Sequence, residues 1–248
     1  MEQDKNDQTF TVWAIVITLA IIGGTVYFLM SQHPGGQGQG LATVPANITP
    51  PAPPSNPAAA QPVDIANVNT AGEPFIGNPK APVTIAMWFD YQCPFCKSLD
   101  ESMMPSLVAD YINTGKVKFV YKDFAFLGPD SQTAALIARA VWDAAPQKFY
   151  DWNSAMFAHQ DGENSGWGNK DDILALTKTI SGIDESKVEQ LLAANSDKYQ
   201  QAIDADKAEG PAFGVNGTPA LIIGKQLVIG QPFSAIKPLI DAEVAKNK

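Results

Sequence analysis

Hydrophobic and polar positions follow three different patterns along the 248 residues. Residues 10–30 carry no charged side chain, and a helix of this length crosses about 30 Å of hydrocarbon. Residues 31–72 are rich in Pro, Gly and Ala, a composition that buries too little apolar surface to fold. Short apolar runs and helical periodicity follow. The pattern therefore predicts an N-terminal segment at 1–9, a transmembrane helix at 10–30, a disordered linker at 31–72 and a folded part beyond.

A cleavable signal peptide is the alternative for residues 10–30. Its apolar region usually has about 7–15 residues and precedes a small-residue cleavage site, whereas Met30 is followed by Ser-Gln-His-Pro. We therefore expect an uncleaved anchor. Lys5 precedes the span, and no Lys or Arg follows it before Lys80, so the positive-inside rule places the N-terminus in the cytoplasm. We expect the folded part on the outer, periplasmic or extracellular, face of the cell membrane.

The start of the folded part has the pattern of a βαβ unit. Residues 82–89, PVTIAMWF, predict a buried strand, and the apolar spacing of residues 94–113 predicts a helix with Pro105 in its middle. Residues 116–122, KVKFVYK, alternate like a second strand. Two strands joined by a helix of this length indicate a parallel pair.

Helical periodicity dominates the middle of the folded part, and strand patterns return near its end. Residues 129–209 predict several helices, with apolar spacing at 134–142, 149–157, 173–180 and 188–192. Two apolar runs separated by Gly-Lys predict a hairpin of residues 219–223 and 226–229, and residues 232–246 predict a last helix. The fold class is therefore α/β, one domain formed by residues 73–128 and 209–248 with a helical insertion at 129–208.

Composition excludes several classes of protein. With 26 acidic and 17 basic residues the net charge is −9, which argues against a nucleic-acid partner. The 45% hydrophobic content and the 2 cysteines fit neither a collagen nor a disulfide-rich miniprotein.

An EF-hand-like run at 161–172 ends in Asp172 in place of the usual Glu, and we favour a solvated loop over a calcium site. We expect no metal and no cofactor.

Both cysteines lie in one motif, Cys93-Pro94-Phe95-Cys96, where the first strand passes into the helix. A thiol at a helix N-terminus faces unpaired backbone N–H groups and the positive end of the helix dipole, which stabilise its thiolate. Pro94 suits the first turn because its missing N–H has no partner there. Cys96 lies one turn further and is within reach of a disulfide. The motif predicts dithiol–disulfide exchange.

Two other interpretations of the motif are less well supported. A structural zinc site needs four ligands, and His33 and His159 are the only histidines in the sequence. A purely structural disulfide across so short a loop removes little chain entropy and stabilises poorly.

The runs GNPKAPVTIAMWFDYQCPFC (77–96) and GVNGTPALIIGKQLVIGQ (214–231) resemble the DsbA-type thiol:disulfide oxidoreductases of the thioredoxin superfamily. The resemblance extends from about residue 73 to the C-terminus. It implies a thioredoxin fold with an inserted helical domain, a nucleophilic Cys93, a resolving Cys96 and a cis Thr218–Pro219 bond facing the cysteines. It also implies that the backbone at Thr218 pairs with an extended substrate chain.

The sequence departs from this family at two positions. Met87 stands where the family often carries a buried Glu that relays protons, so proton transfer must use another route, such as water, Asp90 or Lys122. Asp90 is more simply a polar residue at the end of a strand, because a carboxylate beside Cys93 would raise the pKa of its thiol. Phe95 stands where the strongest oxidants have His, and since its ring donates no hydrogen bond we expect a less extreme reduction potential.

These features predict a membrane-tethered extracytoplasmic thiol:disulfide oxidoreductase that introduces disulfides into exported proteins. The expected partners are exported substrates with cysteine thiols and a membrane redox partner that resets the dithiol. We expect a monomer. The resemblance favours an oxidase over an isomerase, because dimeric isomerases of this group carry a separate N-terminal dimerisation domain and the linker offers none. A reductase or isomerase with the same site is the alternative. A non-catalytic peptide-binding or chaperone-like module is a second alternative, and a Cys93→Ser substitution separates it from the enzyme.

Overall fold

The computed structural model describes residues 62–247, and these form a five-stranded sheet packed with helices. The strands are β1 (Phe75–Gly77), β2 (Val83–Phe89), β3 (Val117–Asp123), β4 (Ala220–Ile223) and β5 (Gln226–Ile229). The helices are α1 (Pro94–Leu107), α2 (Pro129–Ala144), α3 (Phe149–His159), α4 (Lys170–Thr179), α5 (Glu185–Ala212) and α6 (Phe233–Lys246).

The sheet has the strand order β1-β3-β2-β4-β5. Strands β2 and β3 pair in parallel, which confirms the predicted βαβ unit, while β4 pairs antiparallel with both β2 and β5. Gly224 has a φ of +58°, a conformation that glycine adopts without strain, and with Lys225 it forms the turn of the predicted hairpin. Strand β1, which pattern analysis did not predict, pairs antiparallel with β3 along one edge.

Strand β2 is central and nearly fully buried, as its continuous apolar run predicts. Its side chains alternate between two apolar clusters. Met87 packs in the larger cluster together with both cysteines, whereas Trp88 packs in a smaller cluster on the other face of the sheet. The central strand thus places Cys93, which follows its end, at the edge of the larger cluster.

Helix α1 begins at Pro94 and continues past Pro105 into a π-helical turn, Val108–Ile112. The predicted helix of residues 94–113 therefore forms, with a change of helix type near its end. The insertion at 129–208 also forms as helices. Its last helix, α5, crosses the predicted boundary to reach Ala212 and has non-helical dihedrals at Asn195.

The ordered chain begins before residue 73. A 3₁₀ turn at Ile65–Asn67 is capped by the side chain of Asp64, and Val68 is buried against the smaller apolar cluster. Residues 62–72 of the predicted linker are therefore structured, while the rest of the linker and the predicted span at 10–30 lie outside the described residues. Within residues 62–247, every helix is too short or too polar to traverse a lipid bilayer.

Candidate active site

Cys93 lies at the junction of β2 and α1, where it is the N-cap of the helix. Its N–H donates to the carbonyl oxygen of Asp90 at 3.1 Å. Its own carbonyl oxygen accepts from the N–H groups of Cys96 at 3.1 Å and Lys97 at 3.2 Å. Pro94 occupies the first helical turn, as its missing N–H predicts. The thiol is thereby held at the N-terminus of α1, beside the N–H groups of its first turn.

The two thiols differ in acidity. A hydrogen bond with the Cys96 side chain, together with the backbone N–H groups of Phe95 and Cys96, lowers the pKa of Cys93 from 9.0 to about 6, against the opposing effect of burial. Burial raises the pKa of Cys96 well above 9.0. The two sulfur atoms are not joined by a disulfide in the structure. Because the thiolate is the nucleophile in thiol exchange, this asymmetry suits Cys93 to attack and leaves Cys96 as the protonated second thiol.

The loop before β4 faces the cysteines. The Thr218–Pro219 peptide bond is cis, as the resemblance to DsbA-type proteins predicts. The Cys93 thiol donates to the carbonyl oxygen of Thr218 at 3.4 Å. Pro219 is buried, whereas Thr218 is partly exposed. The structure therefore brings Cys93, Cys96, Thr218 and Pro219 together.

Asp90 fixes the loop that leads to Cys93. Its buried carboxylate accepts four hydrogen bonds, from the N–H groups of Gln92, Phe126 and Leu127 and from the Ser131 hydroxyl. These donors join the cysteine loop to the segment after β3 and to α2. All four donors belong to the protein itself, so the observed role of Asp90 is to position the loop.

Gln160, the C-cap residue that follows α3, also holds the cysteine loop. Pattern analysis did not identify this residue. Its side-chain amide donates to the carbonyl oxygens of Tyr91 at 2.6 Å and Cys93 at 3.1 Å. The Lys97 ammonium donates to the Gln160 carbonyl oxygen at 3.1 Å. Gln160 lies 67 positions after Cys93, so no local sequence signal identifies it. Through these contacts the helical insertion holds the cysteine loop in place.

A groove of about 230 Å³ runs beside the cysteines. Apolar and small polar residues line it, including Phe95, Ser98, Leu99, Ser102, Pro219 and Pro232. Phe95 is 70% exposed and Phe126 is 50% exposed, although large apolar side chains are usually buried. Phe126 belongs to the segment that Asp90 ties to the cysteine loop. Two large apolar side chains are therefore exposed on the segments next to the cysteine loop.

Lys122 does not reach the cysteines. It follows Tyr121 in β3, and its side chain points to the opposite face of the sheet. There its ammonium pairs with the carboxylates of Glu73, Asp206 and Glu209. The cluster also contains Arg139, which pairs with Glu73, Asp123 and Asp206. The structure thus assigns Lys122 to a buried ionic cluster that joins β3 to the helical insertion.

The acidic run at 161–172 forms a loop and the start of α4. The Asp161 carboxylate accepts from the Ser165 hydroxyl and the Trp167 N–H, both at 2.9 Å, and Asp172 accepts from the Asn169 side chain at 2.6 Å. Both side chains therefore stabilise the turn itself. In the part of the chain that the structure covers, no group of three or more His, Cys, Asp or Glu residues is arranged to hold a metal ion.

The sequence profile described as thioredoxin matches residues 69–242. The chain belongs to the thioredoxin family. Disulfide bond formation protein D of Bacillus subtilis is 26% identical over 174 residues, which cover 70% of this chain and 78% of the relative. Together with the paired thiols, this shows a DsbA-type thiol:disulfide oxidoreductase of the thioredoxin superfamily, and it confirms the enzyme over the non-catalytic alternative.

Solved structures of thioredoxin-family proteins agree with this assignment. Oxidised BdbD of Bacillus subtilis superposes with a TM-score of 0.64 at 25% identity, over 71% of this chain and 95% of that protein. The thiol-disulfide exchange protein alpha-DsbA2 of Wolbachia pipientis gives 0.60 at 29% identity, over 69% and 87%. The thioredoxin-like α/β fold with a helical insertion is therefore confirmed.

Proposed function

We propose that this oxidoreductase introduces disulfides into substrate proteins. The observation that carries the proposal is the position of Cys93 as the N-cap of α1, where the Cys96 thiol and the N–H groups of the first turn lower the pKa of its thiol to about 6. A stabilised thiolate stabilises the reduced form, and a dithiol that is stable when reduced makes its disulfide a strong oxidant. The similarity to a protein named for disulfide bond formation supports the same direction.

In the proposed reaction a substrate thiolate attacks Cys93 Sγ of the Cys93–Cys96 disulfide, and Cys96 leaves. The second substrate thiolate then attacks the substrate sulfur of the mixed disulfide and releases Cys93 as a thiolate. Two electrons pass from the substrate dithiol to the protein. A disulfide of a membrane redox partner accepts these electrons and restores the active form.

The reduction potential tests the direction of transfer. The full chain is equilibrated with glutathione buffers of known ratio, and the fraction of the Cys93–Cys96 disulfide is measured. We expect a potential closer to about −120 mV than to about −270 mV, the values of a dedicated oxidant and of a reductase in this superfamily. A potential near the lower value, with efficient reduction of a disulfide substrate, supports the reductase alternative and refutes the oxidase.

We further propose that substrates bind as extended chains beside the cis peptide bond. The backbone of Thr218 supplies strand-like hydrogen bonds, and the groove lined by Phe95, Leu99 and Pro219 receives an apolar side chain next to the substrate cysteine. A peptide with a leucine beside its cysteine should then be oxidised with a higher kcat/KM than a peptide with aspartate there. Equal values for the two peptides contradict the use of the groove.

The substrates are proposed to be exported proteins, oxidised by a monomeric domain tethered on the outer face of the cell membrane. The apolar run at 10–30, the linker after it and the oxidising chemistry of that compartment support this location. After treatment with a membrane-impermeant reductant, a membrane-impermeant thiol reagent should label Cys93 in intact cells with a permeable outer envelope. Labelling only after lysis of the membrane contradicts the proposed orientation.

A further inference from the structure

Asp100 lies on the buried face of α1, one helical turn beyond Cys96. The buried positions of this helix are Cys96, Leu99, Asp100, Met103, Met104 and Leu107. Residues four apart on a helix have Cβ atoms about 5–6 Å from each other, so the side chains of Cys96 and Asp100 are neighbours. Cys96 is 1% exposed and Asp100 is 3% exposed.

The Asp100 carboxylate has few partners for a buried group. One oxygen accepts from the Asn153 side-chain amide at 3.2 Å, and the Asn153 carbonyl oxygen accepts from the Tyr91 hydroxyl at 3.0 Å. Within residues 62–247 no Lys or Arg forms an ion pair with Asp100, whereas the buried carboxylates of Asp123 and Asp206 pair with Arg139.

Asp90 is likewise buried without a cation in that part of the chain, but it accepts four hydrogen bonds where Asp100 accepts one. A buried carboxylate that lacks such compensation is unfavourable in its ionised form. Asp100 is therefore suited to exchange a proton, whereas the four hydrogen bonds of Asp90 hold the loop.

The titratable groups around Asp100 come from three other elements and from its own helix. They are Tyr91 before α1, Tyr121 of β3, Tyr150 of α3 and Glu101 beside it, all of which interact with its charge. Burial, and then the charge of Glu101, raise the pKa of Asp100 from 3.8 to about 7. Asp100 can therefore accept and release a proton near neutral pH.

Cys96 needs a proton acceptor of this kind. Its thiol is buried and must lose a proton before its sulfur can attack a mixed disulfide at Cys93. Met87, which packs in the same apolar cluster, has no titratable group, and Lys122 lies on the opposite face of the sheet. Asp100 is the titratable side chain beside Cys96 on the buried face of α1.

We propose that Asp100 exchanges the proton of Cys96 during disulfide exchange, directly or through one water molecule. When a partner disulfide resets the enzyme, the Cys93 thiolate attacks it, forms a mixed disulfide and releases one partner thiolate. The Asp100 carboxylate then takes the proton of the Cys96 thiol. The Cys96 thiolate then attacks Cys93 Sγ, and the partner sulfur leaves as a thiolate. In the reverse step a substrate thiolate attacks Cys93 Sγ, and the Asp100 carboxyl protonates the departing Cys96 sulfur.

The reduced full chain reacts in two steps with the aromatic disulfide dithiobis(nitrobenzoate), and the second step isolates this proton transfer. The Cys93 thiolate of the reduced full chain releases one coloured thiolate, and the attack of Cys96 on the mixed disulfide releases the second. Asp100→Asn preserves the size of the side chain. It should slow the second release about 100-fold near pH 7, the low end of the contribution of a positioned acid or base, and leave the first unchanged.

The pH dependence of the second release separates proton transfer from a structural role. Its rate should rise through about pH 7 in the wild type, following the Asp100 pKa, and lose this step in Asp100→Asn. Asp110→Asn, the same change at an exposed position of the π-helical turn, should alter neither release. An Asp100→Asn variant that slows both releases equally, or keeps the wild-type profile, overturns the proposal.

Glu101→Gln provides a second test that does not require the Asp100 variant to fold. Because the Glu101 charge raises the pKa of Asp100, its removal should move the midpoint of the second release to lower pH. An unchanged midpoint overturns the proposal. Both directions of exchange use the Cys96 proton, so these results are independent of whether the protein is an oxidase or a reductase.

Discussion

The Cys93 thiol donates to the carbonyl oxygen of Thr218 at 3.4 Å, across 125 positions of the chain. The nucleophile therefore lies in contact with the peptide group that is proposed to bind substrate. A chain paired with the Thr218 backbone would lie close to Cys93 Sγ. When the substrate cysteine is held in this position, the entropic cost of bringing the two sulfur atoms together is met on binding. The barrier of the exchange step itself is then lower.

Phe95→His should make the enzyme more oxidising. The Phe95 side chain is 70% exposed, so its loss costs little packing, and a histidine there adds a cation and a hydrogen-bond donor near the Cys93 thiolate. We expect the pKa of Cys93 to fall below about 6 and the reduction potential to rise. Thiolate absorbance against pH and glutathione equilibria measure the two quantities. Phe95→Leu is the matched control and should change neither.

Gln160→Leu should loosen the cysteine loop. The substitution removes a donor to two carbonyl oxygens. The Cys93 oxygen keeps the N–H groups of Cys96 and Lys97, whereas the Tyr91 oxygen loses its side-chain donor, and a buried acceptor left without a partner costs about 1–3 kcal/mol. We expect a lower free energy of unfolding in urea and a shifted Cys93 titration. His159→Leu, at the exposed neighbouring position, should leave the titration unchanged. A wild-type Cys93 titration in Gln160→Leu would show that the Gln160 contacts are not needed to position the Cys93 thiol.

The contribution of Cys93 to the stability of the reduced protein should rise with pH above about 6. Because the folded state lowers the pKa of Cys93 from 9.0 to about 6, this thiol binds more protons in the unfolded state between these values, and its contribution to the free energy of unfolding increases through this window. One pKa unit corresponds to about 1.4 kcal/mol, so the gain reaches up to about 4 kcal/mol. Falling pH removes it. Urea titrations of the wild type and of Cys93→Ser at several pH values measure this contribution as the difference between the two proteins. Asp100, whose pKa is raised to about 7, adds an opposite slope below about pH 7 to both of them.

Lys122→Met should destabilise the protein without changing thiol chemistry. Lys122 is 1% exposed and neutralises carboxylates of Glu73, Asp206 and Glu209, and breaking a buried ion pair by removing one partner costs about 3–5 kcal/mol. Because the cluster lies on the opposite face of the sheet from Cys93, the thiolate titration should stay as in the wild type. A shifted titration would instead restore Lys122 as a modulator of the site. Lys225→Met, an exposed lysine, is the control for stability.

Pattern analysis recovered the elements whose signals are local. The apolar run of β2, the helical spacing of α1 and the Gly-Lys turn between β4 and β5 each depend on residues close in sequence. Strand β1 was missed because its three residues form a strand only through pairing with β3. The boundary at residue 73 was too late for a related reason, since Val68 is ordered by packing against the core.

The residues of the active site also divide into those identified by local sequence signals and those identified only by long-range contacts. Cys93, Pro94 and Cys96 are determined by the sequence alone, because a CxxC motif between a strand and a helix places its first thiol at the helix N-terminus whatever the rest of the fold. The cis bond before Pro219 came from the resemblance of a whole segment to the DsbA-type proteins.

Only the tertiary structure decided the remaining roles. Asp90 and Lys122 are both polar residues near the ends of central strands, yet one holds the cysteine loop and the other lies in a buried ionic cluster on the opposite face. Gln160 reaches Cys93 from the helical insertion, and Asp100 is buried without a cation. Burial, distance and charge pairing across the chain set these roles, and none of them is a property of neighbouring residues.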